Sequence, residues 1–318
     1  MVTPFITQRQ QVGIKLEAVE GTGETIAAAD LVHPAFDIEW TPNGEMNERN
    51  NLQPSLSRVT QVAGEFSATV TFSTEVKGSG VAGDVPGNLS AALQACAFGE
   101  TIVGGVSVTY APASQSTKSA TIEVREGSGD GTFKIKKIVG ARGTVSFVAE
   151  KGIIVLAVFE FTGRYVEPTE GAALVVPAPT PLPEPFLGAS FSFHGTTLKV
   201  AAVTLDMQNT ISLRNDANQT FGNFSAAFVD RAPVGSIDPE QEEIADINFF
   251  NKWTTNSEGI LTYILGSTAG NITTFTAPKA QITGISEGDR DGIRIETIDL
   301  QLSQDEAAGD DELTIAFT

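Results

Sequence analysis

The sequence predicts a mainly β protein made of two tandem β-sandwich or barrel domains, each with one flanking α-helix. Three observations support this fold class. The 318 residues include 31 glycines and 15 prolines, a composition that favours many turns. Several segments alternate apolar and polar side chains with a period of two, as strands with one buried face do. A proline-rich segment also separates two parts that have a similar predicted order of elements.

The proline-rich segment places proline at every second position from Pro177 to Pro185. Each proline fixes its own φ and removes a backbone donor, so the segment suits neither a helix nor an inner strand. We therefore predict a semi-rigid linker over residues 176–186, between a first domain (1–175) and a second domain (187–318). A proline-rich ligand for another protein is the alternative interpretation.

The first domain has its clearest strand at Glu65–Val76, where apolar and polar residues alternate. Apolar residues at helical spacing from Leu89 to Ala97 predict one helix, with Asn88 as N-cap and Gly99 beyond its end. Cys96 falls on the apolar stripe and is interpreted as a small buried hydrophobe rather than a nucleophile. The other predicted strands are Val12–Val19, Phe36–Trp40, Val106–Tyr110, Ala120–Arg125, Thr132–Val139, Gly143–Ala149 and Ile153–Thr162.

A long polar stretch, Thr41–Ala63, interrupts these strands and contains few apolar residues. Loops of this length inside a compact domain are uncommon and are functional or disordered. We interpret the stretch as an interaction arm, with plain surface disorder as the alternative. Its candidate contact residues are Glu45, Met46, Asn47, Glu48, Arg49, Asn50, Asn51 and Arg58.

The second domain repeats the order with shorter loops. Ile211–Asp216 echoes Met46–Asn51, so Arg214, Asn215 and Asp216 form the candidate counterpart of the arm. A helix is predicted from Asp238 as N-cap with Pro239 at its first position. The predicted strands are Ala189–Phe193, Leu198–Leu205, Phe224–Phe228, Leu261–Leu265, Ile272–Thr276, Ala280–Ile285, Ile293–Leu302 and Leu313–Thr318, with a bulge after Ile295.

The formal net charge of −19 is unevenly shared. Residues 1–175 carry 13 basic and 19 acidic side chains, and residues 176–318 carry 7 and 20. Such a surface repels nucleic acid and anionic membranes, which argues against a protein that grips either of them. No membrane span or secretory leader is expected, and the single cysteine excludes an intrachain disulfide.

Motifs for catalysis or metal binding are weak in this sequence. His33 and His194 lie 161 positions apart, and Asp289–Gly292 is interpreted as a hairpin turn rather than a calcium loop. A pair of catalytic carboxylates of the glycosidase type is an alternative that the sequence leaves open, because an acidic chain has many Asp and Glu residues. With two tryptophans and three tyrosines, the chain has few residues for an aromatic sugar platform. We predict no enzymatic activity, no cofactor and no metal.

Several segments together resemble the major tail proteins of long, flexible-tailed bacteriophages, in the type with two fused tube domains. They span nearly the whole chain and are GARGTVSF (140–147), FEFTGRYVEP (159–168), PVGSIDPE (233–240), APKAQ (277–281), GISEGDRDG (284–292) and GDDELTI (309–315). The resemblance implies tail-tube-like β domains that assemble into stacked rings around a channel for DNA ejection. Three subunits then make a ring of six pseudo-equivalent domains, and a six-subunit ring is the alternative.

The resemblance further implies a virion protein made and assembled in the host cytoplasm. Its expected partners are further copies of itself, tail terminator and tail tip proteins, and the tape measure protein in the lumen. DNA passes without specific binding, and no membrane binding is expected. A tail tip or decoration subunit, or a secreted adhesin-like β-sandwich, are the alternative classes.

Overall fold

The computed structural model describes residues 3–176, 178 and 180–318. Strands make up 56% of the chain and helices 5%, so the prediction of a mainly β fold is confirmed. Two short α-helices are present in this part of the chain, α1 (Ser90–Ala95) and α2 (Phe249–Thr254), one in each predicted domain. A single 3-10 turn covers Ala28–Asp30.

Among the described residues, nine strands precede the proline-rich segment. They are β1 (Phe5–Leu16), β2 (Leu31–Val32), β3 (Ala35–Asn47), β4 (Val62–Glu75), β5 (Phe98–Val103), β6 (Ser107–Pro112), β7 (Ala120–Ser128), β8 (Phe133–Glu150) and β9 (Leu156–Gly171). Antiparallel pairing places six of them in the order β1-β7-β8-β9-β4-β3. Their inward side chains, such as Phe72, Phe159 and Phe161, stack in the core.

Ten strands follow the proline-rich segment in the part of the chain that the structure describes. They are β10 (Ser192–Phe193), β11 (Thr196–Thr197), β12 (Val200–Asp206), β13 (Asn209–Asn215), β14 (Asn223–Arg231), β15 (Val234–Pro239), β16 (Glu258–Leu265), β17 (Thr273–Arg290), β18 (Ile293–Ser303) and β19 (Thr314–Phe317). Six of them are ordered β10-β16-β17-β18-β15-β12, again antiparallel. The two halves of the chain therefore have the same strand order.

The two halves share one sheet network. Strand β12 pairs antiparallel with the end of β8, and β19 pairs with β6. Buried apolar residues from both halves form a single contiguous core, in which Phe147 of β8 packs edge-on against Phe275 of β17. The division at residues 175 and 187 stays a prediction.

The helix predicted from Asp238 is wrong. Asp238 and Pro239 lie in β15, where the Asp238 carboxylate accepts hydrogen bonds from the backbone N–H groups of Ala201 and Ala202 at 2.8 and 2.6 Å. The Asp238 carboxylate, which was expected to cap a helix, is therefore hydrogen-bonded to the backbone of a different strand. Helix α2 starts ten residues later, and the side chain of Asn248 caps it by accepting from Asn251 at 2.8 Å.

The first helix is confirmed in place but not in its ends. Asn88 does not cap α1, because its side-chain amide donates instead to Thr74 and to the Glu75 carbonyl oxygen. Helix α1 ends at Ala95, and Gly99 lies in β5. The predicted apolar stripe is buried throughout, and burial raises the pKa of the Cys96 thiol, as expected of a structural cysteine.

The predicted bulge after Ile295 is also wrong. The register shift lies on the partner strand β17, between Ile282 and Gly284. The sequence pattern changes phase because Glu296 occupies an inward position and is only 5% exposed. Burial raises the pKa of this carboxyl group.

Candidate assembly surfaces

The predicted arm is a β-hairpin with a shorter loop than expected. Strand β3 runs through Thr41 to Asn47, and its register with β4 extends to the pair Asn47 and Val62. Only residues 48–61 are without regular structure. The strand escaped prediction because both of its faces are largely exposed beyond Trp40, so no buried face imposes an alternation of apolar residues.

The structure places the eight candidate residues along this hairpin, which we call the arm (residues 41–63). Glu45, Met46 and Asn47 end β3, whereas the others lie in the loop. Glu48, Arg49, Asn50, Asn51 and Arg58 come together around a depression of about 90 Å³. Neither arginine forms an ion pair with any of the described residues, so both charges are available to a partner.

The tip of the arm exposes apolar side chains that sequence reasoning did not single out. Leu52 and Leu56 are fully exposed, at 103% and 106% of their reference areas. Met46 and Val62 at the base of the loop are half exposed. Leucines held out in water on a projecting hairpin are typical of a contact surface for another chain.

The counterpart in the second half is the hairpin β13–β14, with Arg214 and Asn215 at the end of β13 and Asp216 in the turn. This hairpin packs against the first half of the same chain. The Phe66 N–H donates to the Phe221 carbonyl oxygen at 3.1 Å, and Phe221 stacks edge-on against Tyr165. The predicted counterpart loop therefore has a partner within its own chain.

Arg214 belongs to an ion-pair network between the halves. The carboxylate of Glu20 accepts from Arg142 at 2.8 Å, from Arg214 at 3.1 Å and from Ser225 at 2.6 Å. Burial alone would raise the pKa of Glu20, but these hydrogen bonds and the Arg142 charge lower it to about 2. Arg142 also donates to the carbonyl oxygen of Ala226. The network fixes the second hairpin on the first half.

Gly140 stands beside this network and needs to be glycine. Its φ is +61°, and a Cβ there would lie 2.8 Å from Cβ of Ser225. Its N–H donates to the buried carboxylate of Glu17 at 2.8 Å. The close approach of the two halves therefore depends on this missing side chain.

The proline-rich segment is held at both ends. Gln11 exchanges two hydrogen bonds with Leu174, and Asn271 donates to the carbonyl oxygen of Leu182 at 2.9 Å. Phe186 is buried edge-on against Tyr263, and its N–H donates to the Ile153 carbonyl oxygen at 2.8 Å. The prediction for Pro177 and Pro179 lies outside the described residues.

Several strand edges lack partners within the described residues. Strand β3 pairs with β4 alone, and β5 pairs with β6 alone. The end of β17 beyond Gln281 pairs with β18 on one side only. Unpaired edges of this kind are templates for strand addition, so the fold is that of a β protein whose sheets another chain can extend.

The chain belongs to the phage tail tube protein family, whose model matches residues 7–302. The protein is thus a structural component of the bacteriophage virion, in a family whose members assemble into the tail tube. The predicted resemblance to major tail tube proteins is confirmed. A search of curated proteins finds no match.

Sites for other chemistry are limited in the described residues. No group of three or more His, Cys, Asp or Glu side chains is arranged to hold a metal ion there. No helix in this part of the chain is long and apolar enough to cross a membrane. A cleft of about 360 Å³ lies between the halves, where Arg231 is already paired with Asp310 and Glu312.

Proposed function

We propose that three copies of the chain form a ring of six similar halves, and that the rings stack into the hollow tail tube through which DNA is ejected. The observation that carries this proposal is the identical six-strand order of the two halves. A chain with two equivalent halves supplies two of six positions, so three chains complete the ring. The homohexamer remains the alternative.

The arm is proposed to contact the adjacent ring. Its exposed Leu52 and Leu56 supply apolar contact area, and Arg49 and Arg58 supply charges without intrachain ion pairs among the described residues. A contact to the next copy in the same ring is a second possibility. The docking of β13–β14 on the first half favours it, because the arm is the counterpart of that hairpin.

The net charge of −19 supports a passive role toward DNA. Acidic side chains that line the bore repel the phosphate backbone and keep DNA from adhering during passage. The same composition fits a protein without enzymatic activity. Tail terminator and tail tip proteins at the tube ends, tape measure protein in the lumen and assembly in the host cytoplasm complete the proposal by analogy with the family.

The ring proposal is tested by assembly of the purified protein. Negative-stain microscopy should show tubes of uniform width, and the mass of an isolated ring from light scattering should equal three chains. A mass of six chains would replace the trimer by the homohexamer. A protein that stays monomeric at high concentration would refute the tube role.

The arm is tested by deleting residues 47–56. The variant should fold, form single rings and fail to make tubes. Replacement of the same residues by a glycine–serine segment of equal length controls for the shortened loop and should behave alike. Tubes of normal length, or a variant unable to form rings, would contradict the role between rings.

A further inference from the structure

One of the two strand pairings that join the halves, that of β12 with β8, can be followed residue by residue. In it, Ala202–Asp206 of β12 lies antiparallel to Ser146–Glu150 of β8, and Leu205 is opposite Phe147. The Met207 N–H donates to the Val145 carbonyl oxygen, and the Lys151 N–H to the Ala201 carbonyl oxygen. Hydrogen-bonded pairs alternate along antiparallel strands, so Leu205 and Phe147 form a hydrogen-bonded pair.

The repeated strand order assigns each of these strands a counterpart. The inward residues exclude a shift of one residue, which would exchange the two faces of a strand. The register shifts fix the rest: β7–β8 is interrupted after the pair Ala120–Ala141 and β16–β17 after the pair Gly259–Ala280, so Ala141 corresponds to Ala280. With the extra residue of β17 between Ile282 and Gly284, Val145 then corresponds to Ile285. In the first half, Phe159 of β9 is opposite Val145 of β8, and in the second half Ile298 of β18 is opposite Ile285 of β17. Ser286–Arg290 of β17 is therefore the counterpart of Ser146–Glu150.

The counterpart of β12 follows in the same way. Val70 of β4 is opposite Trp40 of β3 and Phe161 of β9. Gly235 of β15 is opposite Leu205 and Leu300, which occupy the matching positions in the second half. Trp40 therefore corresponds to Leu205, and Ile38–Thr41 corresponds to Val203–Asp206.

Both counterpart edges are unoccupied in the described residues. The outer edge of β3 has no strand beside it, and β16 covers β17 only as far as Gln281. Glu287, Gly288 and Asp289 are exposed, whereas the corresponding Phe147 and Ala149 are buried. The described residues thus contain one completed junction of this β12–β8 type and the two separate sides of a second one.

We propose that these two sides meet between copies: Ile38–Thr41 of β3 pairs antiparallel with Ser286–Asp289 of β17 in the neighbouring copy. Trp40 then lies opposite Glu287, and Thr41 lies opposite Ser286. The inference rests on the proposed ring and names its lateral contact. Because β3 and β17 differ, the contact is head-to-tail and closes only as a ring.

Pro42 agrees with this placement. Proline occurs in strands where its nitrogen faces an unpaired edge, so Pro42 ends the run of donors on the outer edge of β3. In the intrachain junction the corresponding donor is the Met207 N–H. The junction between copies is therefore one hydrogen bond shorter at this end and stops at Thr41.

A cysteine pair tests the register. Thr41 and Ser286 form the non-hydrogen-bonded pair, whose Cα atoms lie about 4.5 Å apart, within the range of a disulfide. In assembled T41C/S286C, oxidation should shift most of the protein to covalent dimers and trimers, with the series ending at three chains. The matched control T41C/E287C places its cysteines on opposite faces and should stay monomeric on a denaturing gel. Native Cys96 is buried and does not interfere.

A proline tests the edge itself. Glu287 is the counterpart of Phe147, which forms a hydrogen-bonded pair with Leu205 of β12. The Glu287 N–H is therefore expected to point to the unoccupied edge rather than to β18, so E287P removes a donor that only the neighbouring copy uses. E287P should fold and lose ring formation, whereas E287A, which keeps the donor but also loses the exposed pair with Arg294, should assemble normally.

The outcomes separate this inference from the ring itself. Wild-type rings in which T41C/S286C does not cross-link, or in which E287P assembles like E287A, would overturn the pairing and leave the tube role intact. A helical reconstruction of wild-type tubes gives an independent measurement: β3 of one copy beside β17 of the next supports the pairing, and any other neighbour for these edges refutes it. A wild-type chain that forms no rings would remove both proposals together.

Discussion

Arg142 donates from Nη1 to the carboxylate of Glu20 at 2.8 Å, and this pair lies where the two halves of the chain meet. Arg142 is the buried member, with 7% of its side chain exposed, while Glu20 is about one third exposed. The guanidinium also reaches Ala226 of the second half and the Phe228 ring. One side chain therefore connects β8 with the hairpin β13–β14.

Replacing Arg142 by alanine should destabilise the chain. Removal of this buried cation takes the side-chain donor from the Ala226 carbonyl oxygen and one of three donors from Glu20, and losses of this kind amount to roughly 2 kcal/mol of unfolding free energy. Urea unfolding of the unassembled chain measures the effect. The control Arg214→Ala removes a half-exposed arginine from the same carboxylate and should cost below about 1 kcal/mol. Equal losses in the two variants would contradict the central position of Arg142.

The lowered pKa of Glu20 predicts a pH dependence. Its folded pKa of about 2 lies below the ordinary value of 4.5, so its stabilisation is present above pH 4.5 and is lost as the pH falls toward 2. Glu20→Gln should therefore reduce the slope of stability against pH in this window, measured by the thermal midpoint at successive pH values. An unaltered slope in Glu20→Gln would refute the lowered pKa of Glu20 as a source of the pH dependence.

Phe186 should make the end of the proline-rich segment part of the fold. It is 5% exposed and packs against Tyr263, so Phe186→Ala should lower the unfolding free energy by about 3 kcal/mol. Hydrogen exchange at the Phe186 and Gly152 amides should speed up, since these groups hydrogen-bond across the contact. Leu187→Ala, at an exposed neighbour, is the control. A loss as small as that of the control would show a loosely attached segment.

The exposed leucines of the arm should act only in assembly. The double variant L52S/L56S should keep the wild-type thermal midpoint, because neither side chain packs within its own chain, and should lose tube formation. The control Leu182→Ser changes a leucine that is 79% exposed on the proline-rich segment and should form tubes. Tube yields of the double variant equal to those of the control would exclude an apolar contact at the arm tip.

Salt should accelerate assembly. Copies that each carry a net charge of −19 repel one another, and the screening length falls from about 30 Å at 0.01 M to about 8 Å at 0.15 M salt. Light scattering should therefore rise faster at 0.15 M than at 0.01 M, and NaCl and KCl should act alike. Slower assembly at the higher salt concentration would indicate that attraction between unlike charges dominates the contacts.

The prediction from sequence succeeded where one face of an element is buried. Glu65–Val76 alternates because Val70 and Phe72 enter the core, and the helix near Leu93 shows its stripe for the same reason. It failed where partners come from distant parts of the chain. Asp238 has the features of a helix cap but binds the backbone of β12, and Glu296 interrupts a strand pattern while facing inward.

The same distinction between local patterns and distant partners applies to the candidate assembly surfaces. The arm was found because a long polar stretch is visible in sequence, yet its leucines were passed over, since exposure is a property of the folded chain. The unpaired edges of β3 and β17 were also invisible, because an edge is defined by the strands that are absent beside it.

By itself, the sequence determined the fold class, the position of the proline-rich segment, the acidic surface and the membership in the tail tube family, because periodicity, composition and motifs are local properties of a chain. Only the tertiary structure decided how the halves join, which charges pair across them and which strand edges remain open. The contacts that join the halves connect residues fifty or more positions apart, such as Ala202 and Glu150 or Glu20 and Arg214, and no local pattern encodes them.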